Sequence, residues 1–380
     1  MNKKELELYI HIPFCVRKCS YCDFLSAPAT EQTREAYMAA LFAEIGGRAK
    51  DYSDRTVTSI FIGGGTPSLL SGEQIGQLMD RIREQFAMAQ DAEITMEVNP
   101  GTASAEKLRN FYTAGINRLS IGMQSAQAEE LKNLGRIHDF EGFCQVYREA
   151  VEAGFTNINV DIMSGLPGQT LASYRDTLEK VLHLEPMPQH ISAYSLIVEE
   201  GTPFAAMAER GELPLPEEET ERAMYEETIE VLAKYGFHRY EISNYARDGY
   251  ECRHNVGYWI RRDYLGFGIG AASLIDNVRF QNEKSLGAYL AHPLESREEE
   301  QTLTVQDRME ETMFLGLRLT RGVSCVDFAE QYGRTVEEVY GEVIARNVAD
   351  GLLTVTERKE NQKKDRLLAL TVFILRNVGD

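Results

Sequence analysis

The sequence predicts an α/β protein: a partial six-unit (β/α) barrel followed by a smaller α+β domain. Six short β-branched runs alternate with longer amphipathic stretches in the first part of the chain. This rhythm stops after Pro214-Leu215-Pro216. Consecutive βα units indicate a parallel sheet with helices outside it. Because the pattern has two units fewer than a full eight-unit barrel, an open barrel and a doubly wound sheet both remain possible.

The predicted strands and helices place most polar and glycine-rich motifs just after a strand. The strands are Leu8–Ile12, Ser59–Gly63, Glu93–Val98, Arg118–Met123, Asn157–Met163 and Ile191–Ile197. Apolar residues at helical spacing give the helices Arg34–Lys50, Gly72–Phe86, Ala105–Thr113, Gly142–Ala153 and Ala172–Leu184. Since the C-terminal rim of parallel barrel strands builds the active site, these motifs favour a curved sheet around one shared site.

Changes in pattern divide the chain into three parts. Residues 1–235 form the barrel, residues 236–300 a connecting segment, and residues 301–380 a C-terminal helical and wing domain. A long acidic helix, about Glu217–Tyr235, closes the first part. The last part contains three helices and a strand pair, which resemble a small winged-helix module: Met309–Leu319, Cys325–Tyr332, Val336–Asp350, Leu352–Thr356 and Arg366–Thr371.

Composition bears on partners and location. The chain has 380 residues and a formal net charge of −19. Because an acidic surface repels phosphate backbones and anionic lipids, nucleic acid and membrane surfaces are poor candidate partners. The N-terminus lacks the features of a signal peptide, and no window has the length of a membrane span. We therefore expect a cytoplasmic protein with reduced thiols.

The six cysteines are unevenly distributed. Cys15, Cys19 and Cys22 fall within eight residues, and the other three are scattered. In a reducing compartment this pattern favours a metal site. A structural zinc ion needs four ligands, whereas three cysteines on a [4Fe-4S] cluster, which normally takes four, leave one iron open to a small molecule. A truncated zinc knuckle and plain loop cysteines are the alternatives.

The cysteine spacing, with Tyr21 just before the last cysteine, resembles the signature of the radical S-adenosylmethionine superfamily. Members of that superfamily fold as partial (β/α) barrels. The resemblance implies that the open iron chelates the amino and carboxylate groups of S-adenosylmethionine. An electron from the cluster would then cleave the sulfonium to a 5′-deoxyadenosyl radical, while the protein orients and shields the cofactor.

The resemblance also implies a set of S-adenosylmethionine contacts. The glycine run after the second strand permits close approach of a ligand, although it could be an ordinary tight turn. Three of the residues also have a purely structural interpretation. Glu97 could be a capping or salt-bridging carboxylate, Arg136 could belong to a surface ion pair, and Tyr9 could be only an aromatic residue of the strand. By resemblance the cofactor-contacting residues are Tyr9, Tyr21, Gly64, Gly65, Thr66, Glu97, Gln124, Arg136 and Asp161.

Nearly the whole chain resembles the oxygen-independent coproporphyrinogen oxidase family. The segments that carry this resemblance are 9–15, 63–68, 117–125 and 165–170. The family has an oxidase branch and a haem chaperone branch. True oxidases carry a fourth cysteine two positions after the third, where this chain has Phe24, and an N-terminal extension, where only eight residues precede Tyr9. Both departures favour the chaperone branch.

A His-Asn-x-x-Tyr-Trp segment is typical of the chaperone branch, and this chain has His254, Asn255, Tyr258 and Trp259. Histidine is a good axial ligand for haem iron, Asn255 could orient the imidazole ring by hydrogen bonding, and aromatic faces suit a porphyrin. The alternative is a capped turn on an aromatic core. We therefore expect a haem chaperone that serves haem-accepting proteins and receives electrons from a donor. The alternative function is radical decarboxylation of coproporphyrinogen III propionates.

Overall fold

Six parallel strands form the centre of a curved sheet in the computed structural model, which describes residues 3–295, 297–360 and 363–370. The strands are β1 Lys4–Ile12, β2 Arg55–Gly64, β3 Ala87–Val98, β4 Arg118–Gln124, β5 Ile158–Ser164 and β6 His190–Ser195. The helices of this part are α1 Glu31–Arg48, α2 Gly72–Gln85, α3 Ala105–Thr113, α4 Ala128–Leu134, α5 Phe140–Ala153, α6 Leu171–Leu182, α7 Pro203–Glu209 and α8 Glu218–Lys234.

The order of these strands decides between the two predicted architectures. Each strand from β1 to β6 pairs in parallel with the next one in sequence. A doubly wound sheet would reverse its strand order at a switch point. Right-handed crossovers that always advance to the next strand leave the helices on one face. The partial barrel is therefore confirmed, and the doubly wound alternative is wrong.

The two faces of the sheet differ in polarity. Leu8, Ile10 and Ile60 are fully buried in the large apolar core that also contains residues of α1 and α2. The alternate positions on the same strands carry polar or aromatic side chains such as Glu7, Tyr9 and Ser59. Since successive side chains of a strand point to opposite faces, the barrel interior is polar and its outer face is apolar.

Residues after α8 extend the sheet at both edges. Strands β7 and β8 continue it beyond β6, while β9 pairs in parallel with β1, and β10 to β12 follow it. The elements are β7 His238–Arg239, β8 Asn244–Ala246, α9 Arg253–Trp259, β9 Tyr264–Phe267, β10 Ala272–Ile275, β11 Val278–Asn282, α10 Leu286–Ala291 and β12 Arg297–Thr302. The segment that the sequence separates as a connection thus lies within the barrel's own sheet.

A buried carboxylate on α1 holds this extension in place. Glu44 accepts hydrogen bonds from the Gly268 amide at 2.9 Å, the Asn282 amide group at 2.8 Å and the Tyr289 hydroxyl at 2.7 Å. It also pairs with Arg48 at 2.7 Å. Removing any of these donors would leave buried acceptor capacity unsatisfied, which is costly in the protein interior.

The C-terminal residues form a separate small α+β unit, as predicted. Its elements are α11 Val305–Gly316, β13 Val323–Ser324, α12 Cys325–Tyr332, α13 Val336–Ala349, β14 Leu353–Glu360 and β15 Lys363–Leu370. The strands form an antiparallel sheet in the order β13-β15-β14 around a core that includes Phe328 and Leu368. Thr371, the predicted end of the last strand, lies outside the described residues.

The predicted elements are present, with changes at their ends. Strand β3 begins at Ala87 rather than Glu93, and β6 ends at Ser195, so that Ile197 lies in an exposed loop. The seven-residue helices α4 and α7 were not predicted, because segments of this length are too short to show helical periodicity. Within the described ranges, no helix is long and apolar enough to cross a membrane.

Gly268 provides a test of the edge extension. Its φ is +94°, and a Cβ there would lie 2.8 Å from the His11 carbonyl oxygen and would also meet the Tyr37 hydroxyl. We expect Gly268→Ala to lower the free energy of unfolding by about 2 kcal/mol or more, measured by denaturant titration. The control is Gly76→Ala in α2, where nothing lies within 4 Å. It should raise stability by about 0.5–1 kcal/mol. Equal effects would contradict the prediction.

Candidate functional site

A cavity of about 320 Å³ lies at the C-terminal ends of the barrel strands. The loop after β1 forms one wall with Cys15, Cys19 and Cys22, all partly exposed. The strand ends contribute the remaining walls, namely Gly64, Gly65, Thr66, Glu97, Ser120, Gly122, Gln124, Asp161, Met163 and Tyr194. Arg136 and Tyr21 also line the cavity. The tertiary structure therefore brings together all but one of the residues predicted to contact cluster or S-adenosylmethionine.

The cysteine loop is anchored by backbone hydrogen bonds on both sides. The Cys15 amide donates to the Ala27 carbonyl at 3.1 Å, and the Ser20 amide donates to the Leu134 carbonyl at 3.0 Å. The Arg17 guanidinium donates to the Gly135 carbonyl at 2.7 Å. These bonds hold the three thiols on one side of the cavity.

Two donors approach the sulfur atoms. The Thr66 hydroxyl lies 3.4 Å from Cys15 Sγ, and Arg136 Nη1 lies 3.8 Å from Cys19 Sγ. Cys15 and Cys19 thus each have a hydrogen-bond donor beside the sulfur atom, as metal-binding groups commonly do. No three His, Cys, Asp or Glu side chains in the described part of the chain are placed to hold one ion. Cys15, Cys19 and Cys22 nevertheless share one wall of the cavity, and these three thiols would hold a [4Fe-4S] cluster with one iron left open to a ligand.

The glycine segment after β2 packs directly on the cysteine loop. The Gly65 amide donates to the Ile12 carbonyl at 2.8 Å, and the Thr66 amide donates to the Phe14 carbonyl at 2.7 Å. A Cβ at Gly65 would lie 2.7 Å from the Ile12 oxygen and 2.8 Å from Phe14 backbone atoms. Gly65 is thus required for the register between the two loops, and Gly64 and Gly65 also face the cavity.

Two buried carboxyl groups face the cavity. Burial raises the pKa of Glu97 to about 8, and the charge of Asp161 adds to this effect. Glu97 accepts a hydrogen bond from the Gly64 amide at 3.0 Å. Burial also raises the pKa of Asp161. The hydrogen bond that Asp161 accepts from Asn159 at 2.6 Å lowers this pKa, but burial has the larger effect. Within the described residues no cation pairs with Glu97, so its second oxygen is available to a ligand that donates hydrogen bonds.

Arg136 and Gln124 contribute hydrogen-bonding groups to the same cavity. Arg136 Nη2 donates to the Gly122 carbonyl at 2.6 Å, and its buried Nε has no partner within the described structure. The Gln124 side-chain oxygen accepts a hydrogen bond from the Tyr194 hydroxyl at 2.8 Å. The backbone of Gln124 has a φ of +71°, which is a strained conformation for a residue other than glycine. Arg136 is therefore not a surface ion pair in this structure, since its contacts are a carbonyl and a cysteine sulfur.

A second cavity of about 500 Å³ adjoins the first and shares Phe24, Gly64 and Glu97 with it. Tyr9 lines this cavity rather than the first, and its hydroxyl lies 3.1 Å from His11 Nδ1. The wall is largely aromatic and aliphatic, with two arginines: Leu25, Tyr258, Trp259, Arg261, Tyr264, Leu274, Arg279 and Leu315. The sequence did not single out the arginines, Tyr264 or Tyr194, because only the fold brings them to these walls.

The residues of the His-Asn-x-x-Tyr-Trp segment separate in the structure. Tyr258 and Trp259 line the second cavity, whereas His254 and Asn255 line neither cavity. His254 is 1% exposed, and its Nδ1 and Nε2 lie 2.8 Å from the Ser59 hydroxyl and 3.0 Å from the Tyr258 hydroxyl. Both ring nitrogens are engaged, so this arrangement does not provide the axial haem ligand that we expected from His254. The residue instead packs in an aromatic core, stacked on Phe61.

A three-cysteine loop on the C-terminal rim of a partial (β/α) barrel defines a radical S-adenosylmethionine protein. In agreement, residues 9–181 match the radical SAM superfamily, and residues 303–359 match the HemN C-terminal domain. The heme chaperone HemW of Bacillus subtilis is 39% identical, covering 92% of this chain and 93% of the relative. HemW of Escherichia coli is 37% identical over 92% of both chains. The chain therefore belongs to the HemW family.

A solved structure agrees with this assignment. Coproporphyrinogen III oxidase (HemN) from Escherichia coli, described as a radical SAM enzyme, superposes with a TM-score of 0.82 and 28% identity. The match covers 96% of this chain and 87% of the oxidase. Both the barrel and the C-terminal unit thus belong to an architecture that the oxidase and the HemW family share.

The buried state of His254 predicts a pH dependence of stability. Burial lowers its pKa to about 3, so the ring is neutral when folded, while the unfolded state takes up a proton below its ordinary pKa near 6.5. The contribution of neutral His254 to the free energy of unfolding is therefore present above pH 6.5 and is lost as the pH falls below it. Between pH 7.5 and 5.5 the loss is about 1.4 kcal/mol, from the unfolded-state proton uptake.

The measurement compares unfolding free energies at the two pH values. Wild type loses unfolding free energy between pH 7.5 and 5.5, and His254→Gln should make this loss smaller by about 1.4 kcal/mol. The control His292→Gln should leave the loss unchanged, because the His292 side chain is 70% exposed. Glu7, which faces the ring and whose pKa burial raises to about 8, titrates in the opposite sense but is present in every variant. Identical pH dependence in wild type and His254→Gln would refute the assigned environment.

Proposed function

We propose that this chain is a haem chaperone that carries a [4Fe-4S] cluster on Cys15, Cys19 and Cys22 and binds S-adenosylmethionine beside it. Curated relatives named heme chaperones cover most of the chain. The observation that carries the proposal is the second cavity, an aromatic space with two arginines that adjoins the cysteine cavity. The proteins it would serve are haem acceptors, and an electron donor would reduce the cluster, both in the cytoplasm.

The first cavity fits the chemistry of S-adenosylmethionine. When bound, the cluster supplies one electron to the sulfonium. The chain's own contribution is to bind and orient: Glu97 accepts hydrogen bonds from the ligand's amino group or nucleoside, and Arg136 suits a carboxylate. Gly64 and Gly65 allow the close approach of the ligand. The other proposed contacts are Tyr21, Thr66, Gln124 and Asp161.

The second cavity fits a porphyrin. A porphyrin buries a large apolar face, for which ordered aromatic rings are suitable partners. Tyr258 and Tyr264 stand edge to face with centroids 4.7 Å apart, and Trp259 lies beside them in the wall. Tyr9 belongs to this wall. Phe24 is 60% exposed and faces both cavities, so its ring is available to either ligand.

Radical decarboxylation of coproporphyrinogen III is the second candidate function. The close superposition on coproporphyrinogen III oxidase favours it. Phe24 stands where the true oxidases carry a fourth cysteine, and this difference lies at the boundary of the two cavities. We therefore favour haem binding without oxidase turnover.

Cluster content tests the proposed metal site. Anaerobically reconstituted protein should contain about four irons and four sulfides per chain. Cys15→Ala, Cys19→Ala or Cys22→Ala should each abolish the cluster, because three ligands already leave one iron open. Cys144→Ala, in helix α5 away from this loop, is the matched control and should retain it. Iron and sulfide analysis gives the result; stoichiometric zinc without iron would overturn the proposed site.

Haem titration tests the cargo and the role of His254. Haem should bind with a stoichiometry near one, as followed by the Soret band. Tyr258→Leu should weaken binding by removing part of the aromatic wall, whereas Tyr235→Leu, at the end of α8, should not. His254→Ala should weaken binding through Tyr258 but leave the Soret maximum of bound haem unchanged.

Three outcomes separate the alternatives. A shifted Soret maximum in His254→Ala would make His254 a ligand after rearrangement. Absence of saturable haem binding would remove the chaperone function. Multiple-turnover conversion of coproporphyrinogen III, with cluster, reductant and S-adenosylmethionine present, would assign the chain to the oxidase function.

A further inference from the structure

Two arginines in the second cavity share a single carboxylate. Arg261 Nε lies 2.8 Å from one oxygen of Glu311, and Arg279 Nη1 lies 2.7 Å from the other. Arg261 follows helix α9, Arg279 belongs to β11, and Glu311 belongs to α11 of the C-terminal unit. Three separate parts of the chain therefore meet at this group, which we call the arginine pair.

The charge of this group is unbalanced. Two guanidinium groups and one carboxylate together carry a net charge of about +1. Glu311 is buried, and the Arg279 side chain is 39% exposed, so one guanidinium remains accessible from the cavity. This local positive charge is found on a chain of net charge −19.

The arginines also retain hydrogen-bonding capacity. A guanidinium has five N–H donors. Arg261 donates to Glu311 and, at 3.5 Å, to the Asn277 side chain, while Arg279 donates to Glu311 and is hydrogen-bonded to Tyr264. These contacts hold the two planar guanidinium groups in fixed positions and leave other N–H groups for a ligand. A fixed guanidinium recognises a carboxylate by paired hydrogen bonds.

The cavity combines this cationic group with an apolar wall. Tyr258, Trp259 and Leu274 line the same space as the arginines, and Leu315 of α11 completes it. A ligand that fits must offer a flat apolar body and acidic groups at one edge. Haem has this chemistry, since two propionate carboxylates extend from one side of the ring.

We infer that Arg279 binds a propionate carboxylate of a haem held in the second cavity, with Glu311 of the C-terminal unit positioning its guanidinium and the buried Arg261 adding positive charge beside it. The inference rests on the proposed haem binding and names the groups that orient it. It also gives the C-terminal unit a role in the site, because α11 supplies both Glu311 and Leu315.

The test compares haem with haem dimethyl ester, in which the propionate charges are removed and the ring is kept. Both are titrated into the cluster-loaded full chain under identical conditions. Wild type should bind haem about tenfold more tightly than the ester, as expected for a charge-assisted contact worth about 1.4 kcal/mol. Arg279→Gln should weaken haem binding by about tenfold and nearly abolish the preference for haem over the ester.

The matched control is Arg366→Gln in the C-terminal unit. Arg366 has a similarly exposed side chain and pairs with one carboxylate, Glu337, at 2.6 Å outside the cavity. It should retain both the affinity and the preference. Arg279→Lys, which keeps the charge but not the planar fork, should fall between wild type and Arg279→Gln.

Each outcome is informative. If wild type binds haem and its ester equally well, or if Arg279→Gln keeps the full preference, Arg279 does not bind a propionate. If wild type binds neither compound, the proposed function fails. Should Arg279→Gln fail to fold, as judged by circular dichroism and cluster content, the comparison of the two ligands in wild type still decides the inference.

Discussion

A carboxylate inside the barrel fixes the element on which the second cavity depends. Glu93 on β3 accepts the backbone N–H groups of Arg253 at 3.1 Å and His254 at 3.2 Å, and Cys252 Sγ lies 3.5 Å from it. A negative group at a helix N-terminus satisfies donors that the helix itself leaves unpaired. Helix α9 is thereby held against the barrel interior. Tyr258 and Trp259 at its other end, with Arg261 just after it, then face the second cavity.

The cysteine cavity depends on a different constraint, the backbone pairing of two loops. The glycine segment after β2 lies so close to the start of the cysteine loop that any side chain at Gly65 would meet the backbone of Ile12 and Phe14. The cysteine loop is also bonded to the residues around the end of α4. The position of the cysteine loop is thus set mainly by main-chain contacts, which tolerate substitution of the surrounding side chains.

The two cavities meet at Phe24, Gly64 and Glu97. A ligand in the second cavity would therefore lie next to a ligand at the cluster, with one aromatic side chain and one carboxyl group between them. The two cavities thus share part of their walls.

His254 belongs to the haem-associated motif but lines neither cavity. The sequence places it in a segment associated with haem, and imidazole is a common iron ligand. The fold buries the ring between Phe61 and the Ser59 and Tyr258 hydroxyls. Its effect on the site is therefore exerted through Tyr258, whose hydroxyl it fixes. Asn255, its neighbour in the motif, lies outside both cavities.

The sequence by itself determined the six βα units, the small C-terminal unit and the cysteine loop, because hydrophobic periodicity and ligand spacing are local properties. It also indicated the rim residues, since strand ends in a parallel barrel share one edge. Only the tertiary structure decided that residues 238–302 complete the same sheet, that His254 is a core residue, and that Arg261, Arg279 and Glu311 meet. Those contacts join residues far apart in sequence, and no local pattern encodes which distant side chains share a cavity.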